Sequence, residues 1–293
     1  MSAAKRSIRP LLESSEISVV PGAGTALEAR VIEECGFPAI YVSGYATAAA
    51  VHGLPDIGLI GSAEVVANVE AIRHVTTAPL IVDADTGYGD AVNVRDTVRR
   101  LERAGASAIQ LEDQVWPKRC GHMADKEVVD ANTMARKVRA AVAARRDENT
   151  VIIARTDARA PLGLDEAIRR ARLYRAAGAD ATFVDAPQSV DELRRIAAEV
   201  EGPSVVNMSE TGLTPLLSAR DLGELGFSLV IFPSSAVRVT AHALRAFLEE
   251  LRRTGDSRSW VGSMASLGAL NGLVGLDDAE AFDASIADEA VQA

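Results

Sequence analysis

The sequence predicts an α/β protein that forms a closed (β/α)8 barrel, and three observations support this prediction. Eight short β-rich runs recur along the chain, and a segment with helical periodicity follows each. Most of the runs are almost continuously apolar, as expected of parallel strands that are covered on both faces. Eight strand–helix units in about 250 residues are typical of such a barrel. A doubly wound sheet is the alternative, but no GxGxxG pattern follows the first run.

The predicted strands recur at a regular interval, and glycines end several of the helical segments between them. The strands are predicted over Ile17–Pro21, Ala39–Ser43, Leu80–Asp85, Ala108–Glu112, Val151–Arg155, Ala181–Asp185, Ser204–Asn207 and Ser228–Phe232. The helical patterns Val92–Ala104 and Leu164–Ala177 are followed by Gly105 and Gly178. Because glycine commonly takes the left-handed conformation after a helix, each marks the return towards the next strand.

Two regions are predicted along the chain. Residues 1–255 are expected to form the barrel, which is the catalytic domain, and residues 256–293 a C-terminal helical extension with an acidic tail. Within the extension, Ser257–Leu273 is expected to form one or two helices. The last dozen residues are expected to be frayed, as chain ends often are.

The composition excludes several classes of partner. The chain has 293 residues, a net charge of −10 and no lysine- and arginine-rich block, so nucleic acid and anionic membrane surfaces are disfavoured. No apolar run approaches membrane-spanning length. Two cysteines, Cys35 and Cys120, make no disulfide framework, and a cytoplasmic location is expected. Cys35 ends a helical pattern and is interpreted as a small apolar packing residue.

A reactive loop is predicted after the fourth strand. Two basic residues, a cysteine, a glycine and a histidine form one run, Lys118-Arg119-Cys120-Gly121-His122. Basic side chains beside a thiol favour the thiolate, and glycine permits tight turns. Because a structural cysteine normally has apolar neighbours, Cys120 is interpreted as a residue with a chemical role.

Polar residues collect at the carboxyl ends of the predicted strands, where barrels of this kind place their catalytic residues. Arg155 ends an apolar strand and suits bidentate binding of a substrate carboxylate, an ion pair with a barrel carboxylate, or both. Ser43 and Gly44 offer a hydroxyl and backbone N–H groups to a second carboxylate. Neutral Asn207 suits orienting the substrate rather than proton transfer.

A magnesium site is predicted at the third strand. Asp83 and Asp85 are two residues apart, so on a strand their side chains point the same way. Two adjacent carboxylates repel each other unless a cation joins them, and Mg²⁺ with retained waters suits oxygen ligands, with Mn²⁺ as the alternative ion. Glu112 and, through water, Asp56 are candidate outer ligands. The competing interpretation is that one aspartate caps the next helix and the other pairs with Arg155.

Seven sequence motifs, taken in order, resemble those of the isocitrate lyase/phosphoenolpyruvate mutase superfamily. They are Tyr41-Val42-Ser43-Gly44, Gly53-Leu54-Pro55-Asp56-Ile57-Gly58, Asp83-Ala84-Asp85-Thr86-Gly87-Tyr88-Gly89, Glu112-Asp113-Gln114, Lys118-Arg119-Cys120-Gly121-His122, Ala154-Arg155-Thr156-Asp157-Ala158 and Asn207. The resemblance implies a (β/α)8 barrel, dependence on Mg²⁺, and a homotetramer whose C-terminal helices are swapped between subunits.

Within the superfamily, the cysteine loop resembles the carbon–carbon lyase branch. The sequence motifs are similar to those of the 2-methylisocitrate lyase, 2,3-dimethylmalate lyase and petal death protein groups. This resemblance implies that the substrate is a small 2-hydroxy or 2-oxo dicarboxylate or tricarboxylate. Retro-aldol cleavage of a 2-hydroxy acid would give a 2-oxo acid such as pyruvate and the enediolate of a second acid.

The resemblance also implies roles for individual residues. Cys120 is expected to protonate the enediolate carbon, while His122 and the Lys118/Arg119 pair tune the thiol and bind the leaving carboxylate. Gly121 is expected to let the loop close over the site.

The remaining roles fall on residues at the strand ends. Arg155 is expected to stabilise negative charge, and Tyr41 to handle the hydroxyl proton. Asp185 is a candidate substrate-binding residue that stands where the family usually has glutamate. Tyr45 stands where methylisocitrate lyases typically have glycine. These departures bear on the substrate more than on the type of reaction.

Three other functions are alternatives to the lyase. Hydrolysis of oxaloacetate to oxalate and acetate would use almost the same site. Pro233 follows the eighth strand, and the resemblance implies that a serine near this point favours the hydrolase, so the proline favours the lyase weakly. A carboxyphosphonoenolpyruvate-type phosphonomutase is the third candidate, and a barrel that binds a dicarboxylate without catalysis is the fourth.

Overall fold

A computed structural model describes residues 7–119 and 125–291 of the chain, and it contains a closed barrel of eight parallel strands. Each strand pairs with the next, and the eighth closes the barrel against the first, with Ser18 opposite Leu229. The (β/α)8 prediction is confirmed, and every predicted strand overlaps an observed one. The strands are β1 (Ser18–Ala23), β2 (Ile40–Val42), β3 (Leu80–Asp83), β4 (Ala108–Glu112), β5 (Val151–Thr156), β6 (Ala181–Val184), β7 (Ser204–Asn207) and β8 (Leu229–Phe232).

Helices connect successive strands, as the periodicity predicts. Glycine in the left-handed conformation follows several of them, including Gly105 with φ 99° and Gly226 with φ 107°. The helices are α1 (Arg9–Glu13), α2 (Ala26–Glu34), α3 (Gly44–His52), α4 (Ser62–Val75), α5 (Ala91–Ala104), α6 (Ala131–Ala144), α7 (Arg159–Leu162), α8 (Leu164–Ala176), α9 (Val190–Glu199), α10 (Ala219–Leu225), α11 (Ser235–Thr254), α12 (Leu267–Leu273) and α13 (Leu276–Val291).

The core has an inner part within the barrel and an outer part between strands and helices. On β3, Ile81 belongs to the inner part, whereas Leu80 and Val82 pack outwards, because successive strand residues point to opposite faces. Ile8 and Leu12, at α1, also belong to the inner part. This short helix therefore closes the amino-terminal mouth of the barrel, and the opposite mouth is left for a site.

The chain divides into two compact units, Met1–Val237 and Arg238–Ala293, and the division falls within α11. In the second unit a 3-10 helix, Arg258–Ser263, precedes α12, and the rings of Phe247 and Trp260 meet edge to face. The tail was predicted to be frayed, but α13 continues to Val291. Its alanines have high helix propensity, and the acidic residues in its first turn interact favourably with the helix dipole.

One prediction about packing is wrong. Cys35 is exposed and lies at the C-cap of α2, where the helix has already ended. Its side chain therefore does not pack in the core. Among the residues that the structure describes, no helix is long and apolar enough to cross a membrane.

The contact between β1 and the end of β8 gives a testable prediction about stability. A Cβ at Gly22 would lie 2.4 Å from the carbonyl oxygen of Pro233, which is backbone and cannot swing away. We expect Gly22→Ala to lower the free energy of unfolding by about 1–3 kcal/mol, measured by denaturant titration. Gly268→Ala is the control, because a Cβ there meets no described atom within 4 Å. Equal stability of the two variants would contradict this account.

Candidate active site

The residues predicted for the site lie at the carboxyl ends of the strands, as the barrel requires. Asp83 ends β3, Glu112 ends β4, and Asn207 ends β7. Glu112 is paired in register with Arg155 on β5. Asp185 follows β6 directly. Parallel register thus brings these side chains to one mouth of the barrel.

Asp83 and Asp85 converge, although not for the predicted reason. Asp85 lies beyond the end of β3 with φ 46°, so strand alternation does not set its direction. The turn nevertheless brings the two carboxylates together. A Cβ at Gly44 would lie 3.2 Å from Asp83 Oδ2 and 3.5 Å from Asp85 Oδ1, so both oxygens border the same small space. Neither aspartate has the capping or Arg155-pairing role of the competing interpretation: Asp90 caps α5.

A buried lysine contacts this carboxylate pair. Lys118 Nζ lies 2.5 Å from Asp56 Oδ1 and 2.8 Å from Asp85 Oδ1. Although burial opposes its charge, Asp85 and Asp56 hold the pKa of Lys118 well above its usual value. Burial raises the pKa of Asp85 to about 6, against the effect of Lys118. Lys118 therefore balances part of the charge of Asp56 and Asp85, and it does so at the Asp85 oxygen that also borders Gly44.

The donor atoms around Asp83 and Asp85 fit a hard cation. Among the described residues, no three histidine, cysteine, aspartate or glutamate side chains are grouped so that they can hold a metal ion. Mg²⁺ is commonly bound by only one or two carboxylates while it keeps several waters. Two converging oxygens are therefore sufficient, and the predicted four-residue set of Asp83, Asp85, Glu112 and Asp56 stays a prediction.

Glu112 is buried and only partly engaged. Its Oε2 lies 3.3 Å from Arg155 Nε, whereas its Oε1 has no hydrogen-bond partner among the described residues. Burial raises the pKa of Glu112 well above its usual value, although Arg155 opposes this. A buried oxygen without a partner is costly unless water or a ligand reaches it. Glu112 therefore suits an outer-ligand role.

Arg155 is held by carboxylates along one edge of its guanidinium. Its Nε donates to Asp157 Oδ2 at 2.8 Å and its Nη2 to Asp157 Oδ1 at 2.9 Å. Nη2 also contacts Asp185 at 3.1 Å, and the ring of Phe183 lies 5.2 Å from the guanidinium carbon. The predicted ion pair of Arg155 with carboxylates of the barrel is therefore confirmed, and Asp157 takes a bidentate contact with Nε and Nη2. Within the described part of the chain, Nη1 donates to no residue, whereas Nε and Nη2 both do.

The residues of β2 and α3 that were predicted to contact substrate make hydrogen bonds within the protein. The Ser43 hydroxyl accepts a hydrogen bond from Ala46 N and caps α3, while Gly44 N–H donates to Asp83 Oδ2 at 3.4 Å. Tyr41 is buried, and its hydroxyl accepts a hydrogen bond from Gln110. Burial and the charge of Asp83 raise the pKa of Tyr41 well above 10. A phenol that stays protonated fits hydrogen bonding better than the predicted handling of the hydroxyl proton.

The predicted loop is only partly described. Cys120, Gly121 and His122 lie outside the described residues, so their roles stay predictions. Arg119 is exposed, and its backbone is held by the side chain of Gln114.

A buried carboxylate with no predicted role, Asp113, organises the end of β5. Asp113 accepts hydrogen bonds from Thr156 Oγ1 at 2.7 Å, Asp157 N at 2.8 Å, and Tyr174 Oη at 2.8 Å. It also pairs with Arg170 at 3.0 Å. Because Asp157 grips Arg155, Asp113 indirectly fixes the guanidinium. No local signal reveals this, since Arg170 is 57 residues away in the chain.

Lys126 was also missed. It lies between Asp125 and Glu127, where a run of charges normally indicates a solvated surface. The structure instead buries its ammonium against Asp157 and Asp185.

Fold and site together define a (β/α)8-barrel protein with a rim of buried carboxylates and basic side chains at the carboxyl ends of its strands. The family model described as phosphoenolpyruvate phosphomutase matches residues 8–252. The chain belongs to the phosphoenolpyruvate mutase/isocitrate lyase superfamily, as its motifs predict.

Curated relatives cover nearly the whole chain. The petal death protein of Dianthus caryophyllus is 46% identical over 93% of this chain and 86% of its own length. The 2,3-dimethylmalate lyase of Eubacterium barkeri is 41% identical over 92% of this chain and 93% of its own. A 2-methylisocitrate lyase of Aeropyrum pernix is 41% identical over 97% and 91%. The superfamily thus contains lyases closely similar to this chain.

Solved structures show the same architecture with other activities. Oxaloacetate acetylhydrolase, in complex with 3,3-difluorooxalacetate, superimposes with a TM-score of 0.92 at 33% identity, covering 97% of each chain. Phosphonopyruvate hydrolase, in complex with oxalate and Mg²⁺, superimposes with a TM-score of 0.86 at 32% identity, covering 94% of this chain and 96% of its own. The scaffold therefore supports more than one reaction on small acids.

The Asp113 network gives a prediction about stability. Asp113→Asn places an NH₂ group either where Oδ2 accepts from Thr156, Arg170 and Tyr174 or where Oδ1 accepts from Asp157 N. In both orientations the negative charge that pairs with Arg170 is lost. We expect the free energy of unfolding to fall by about 3 kcal/mol, measured by denaturant titration. Asp96→Asn, at an exposed position of α5, is the matched control and should change stability by less than about 0.5 kcal/mol. Similar losses in both variants would refute the importance of the network.

Proposed function

We propose that the chain is a Mg²⁺-dependent carbon–carbon lyase. Its substrate would be a 2-hydroxy di- or tricarboxylate of the 2-methylisocitrate or 2-alkylmalate type. The products would be a 2-oxo acid such as pyruvate and a second carboxylic acid. The observation that supports this best is the convergence of the Asp83 and Asp85 oxygens beside Gly44. The lyase names of similar proteins support the reaction class.

The carboxylates of Asp83 and Asp85 would hold the ion, with Glu112 reached through water. Mg²⁺ would supply a Lewis acid that lowers the pKa of the substrate hydroxyl. A structure of a related hydrolase that contains both oxalate and Mg²⁺ supports this cofactor. Mn²⁺ is the alternative ion, since the donor set consists of oxygen atoms.

The protein's own groups would act on the substrate's charges and protons. Arg155 Nη1 would bind a substrate carboxylate and stabilise the negative charge that develops as the carbon–carbon bond breaks. The substrate hydroxyl would lose its proton to water, the carbonyl of the 2-oxo acid would form, and the electron pair of the broken carbon–carbon bond would pass to the second acid, which leaves as an enediolate. Cys120 would then donate a proton to the enediolate carbon.

Hydrolysis of oxaloacetate is the second candidate. The close superposition on oxaloacetate acetylhydrolase favours it. Pro233, which follows β8, favours the lyase weakly because it supplies no hydroxyl. A carboxyphosphonoenolpyruvate-type phosphonomutase remains the third candidate, since a chloroplastic enzyme of that name in Arabidopsis thaliana is 42% identical.

A homotetramer with exchanged C-terminal helices is proposed as the assembly. The second unit exposes many large apolar side chains, which commonly mark a protein contact. The exposed fractions are 67% for Val261, 82% for Leu267, 69% for Phe282 and 50% for Ile286. Burial of these side chains against other subunits would remove them from water.

A substrate panel tests the proposed function. The full chain is assayed with Mg²⁺ against 2-methylisocitrate, 2,3-dimethylmalate, 2-alkylmalates, isocitrate and oxaloacetate, with detection of 2-oxo acids and oxalate. We expect a 2-oxo acid from a methylisocitrate or alkylmalate substrate. Cys120→Ser should lose nearly all turnover yet still bind oxalate and Mg²⁺, because the thiol's role is proton donation. Oxalate from oxaloacetate, with no 2-oxo acid from any other substrate, would instead support the hydrolase.

A further inference from the structure

Lys126 belongs to a buried ring of four charged side chains, whose other members are Arg155, Asp157 and Asp185. Its Nζ is 2.8 Å from Asp157 Oδ1 and 3.4 Å from Asp185 Oδ2. Arg155 Nη2 contacts the same two oxygens, at 2.9 Å and 3.1 Å. At most 9% of each of these four side chains is exposed. Lysine and arginine therefore share both carboxylates.

The second cation matters because the Arg155 guanidinium contacts three carboxylates. Besides Asp157 and Asp185, Glu112 Oε2 lies 3.3 Å from Arg155 Nε. One guanidinium between Asp157 and Asp185 already leaves an excess of negative charge without Lys126, and that excess repels an anionic ligand. Lys126 reduces the excess at the two carboxylates that it shares with Arg155.

Backbone pairing fixes the place from which Lys126 reaches the ring. Val115 N donates to Glu127 O at 2.9 Å, and Val129 N donates to Asp113 O at 2.8 Å. The segment that follows Lys126 is thus tied to the segment that follows β4. The lysine is therefore held at the edge of the site rather than on a solvated surface.

The electrostatic environment keeps the ring charged. Although burial opposes it, Asp157 and Asp185 raise the pKa of Lys126. In turn, Arg155 and Lys126 lower the pKa of Asp157 despite its burial. The ring pairs two basic side chains with two carboxylates, and these numbers match only while Lys126 is present.

We propose that Lys126 is a positioning residue for carboxylate binding. By balancing Asp157 and Asp185, it leaves Nη1 of Arg155 able to attract an anionic carboxylate. Lys126 acts through Arg155 and is assigned no contact with the substrate. The inference rests on the proposed function only in taking a small carboxylate as the ligand, and it holds whichever bond is cleaved.

Oxalate binding in the presence of Mg²⁺, measured by calorimetry on the full chain, tests the inference. We expect Lys126→Met to weaken oxalate binding by about tenfold or more, since it leaves buried carboxylates without their second cation. Lys126→Arg should bind within about threefold of wild type, because it keeps the charge. Arg220→Met, which removes an exposed positive charge of α10, is the control and should bind as wild type does.

A double variant separates charge balance from simple damage to the fold. Asp185→Asn in the Lys126→Met background removes one negative charge for the lost positive one, so oxalate binding should recover by several-fold. A purely structural role for Lys126 predicts a further loss instead. If Lys126→Met does not fold, the double variant alone is compared with wild type. An oxalate affinity within about tenfold of wild type supports the proposal, and a larger loss of affinity overturns it.

The outcomes also separate this inference from the proposed lyase. Oxalate binding that Lys126→Met leaves unchanged overturns the role of Lys126 alone. Failure of the wild-type chain to bind oxalate overturns the premise of a carboxylate site. Loss of binding in Lys126→Met, together with absence of lyase turnover in the wild type, supports Lys126 and counts against the lyase only.

Discussion

At the carboxyl mouth of the barrel, six carboxylates and three cations of the described residues form two contacting groups, one around Lys118 and one around Arg155. The anions are Asp56, Asp83, Asp85, Glu112, Asp157 and Asp185, and the cations are Lys118, Lys126 and Arg155. Such an excess of buried negative charge is unfavourable unless protons or a further cation balance it. Burial, with a smaller contribution from neighbouring carboxylates, raises the pKa values of Asp85 and Glu112. A divalent cation relieves the excess of negative charge where oxygen atoms converge.

The rest of the barrel supports this charged rim. Asp113 ties the end of β5 to α8, and through the backbone of Asp157 it holds the residue that orients Arg155. At the other mouth, α1 fills the barrel interior with Ile8 and Leu12. The apolar interior keeps water from the base of the site, so electrostatic interactions at the rim are stronger than they would be in water.

Strands and site edge were predictable, but the ion-pair partners were not. Parallel strands that are buried on both faces have continuous apolar sequences, so all eight could be located. Asp85 could be named as a site residue, whereas its direction depends on a positive φ that the strand pattern does not predict. Lys126 stands in the charged run Asp125-Lys126-Glu127, and its buried partners Asp157 and Asp185 are 31 and 59 residues distant, so no local pattern marks it as a site residue. Such long-range pairing follows only from the closed barrel.

Equilibrium binding of Mg²⁺ to the chain, measured by isothermal titration calorimetry without substrate, tests most directly whether the carboxylate excess forms a cation site. The account predicts that one ion binds per chain, and that Asp85→Asn weakens binding by about tenfold or more because one of two converging carboxylates is lost. Mg²⁺ binding that is absent in the wild type, or unchanged in Asp85→Asn, would contradict it.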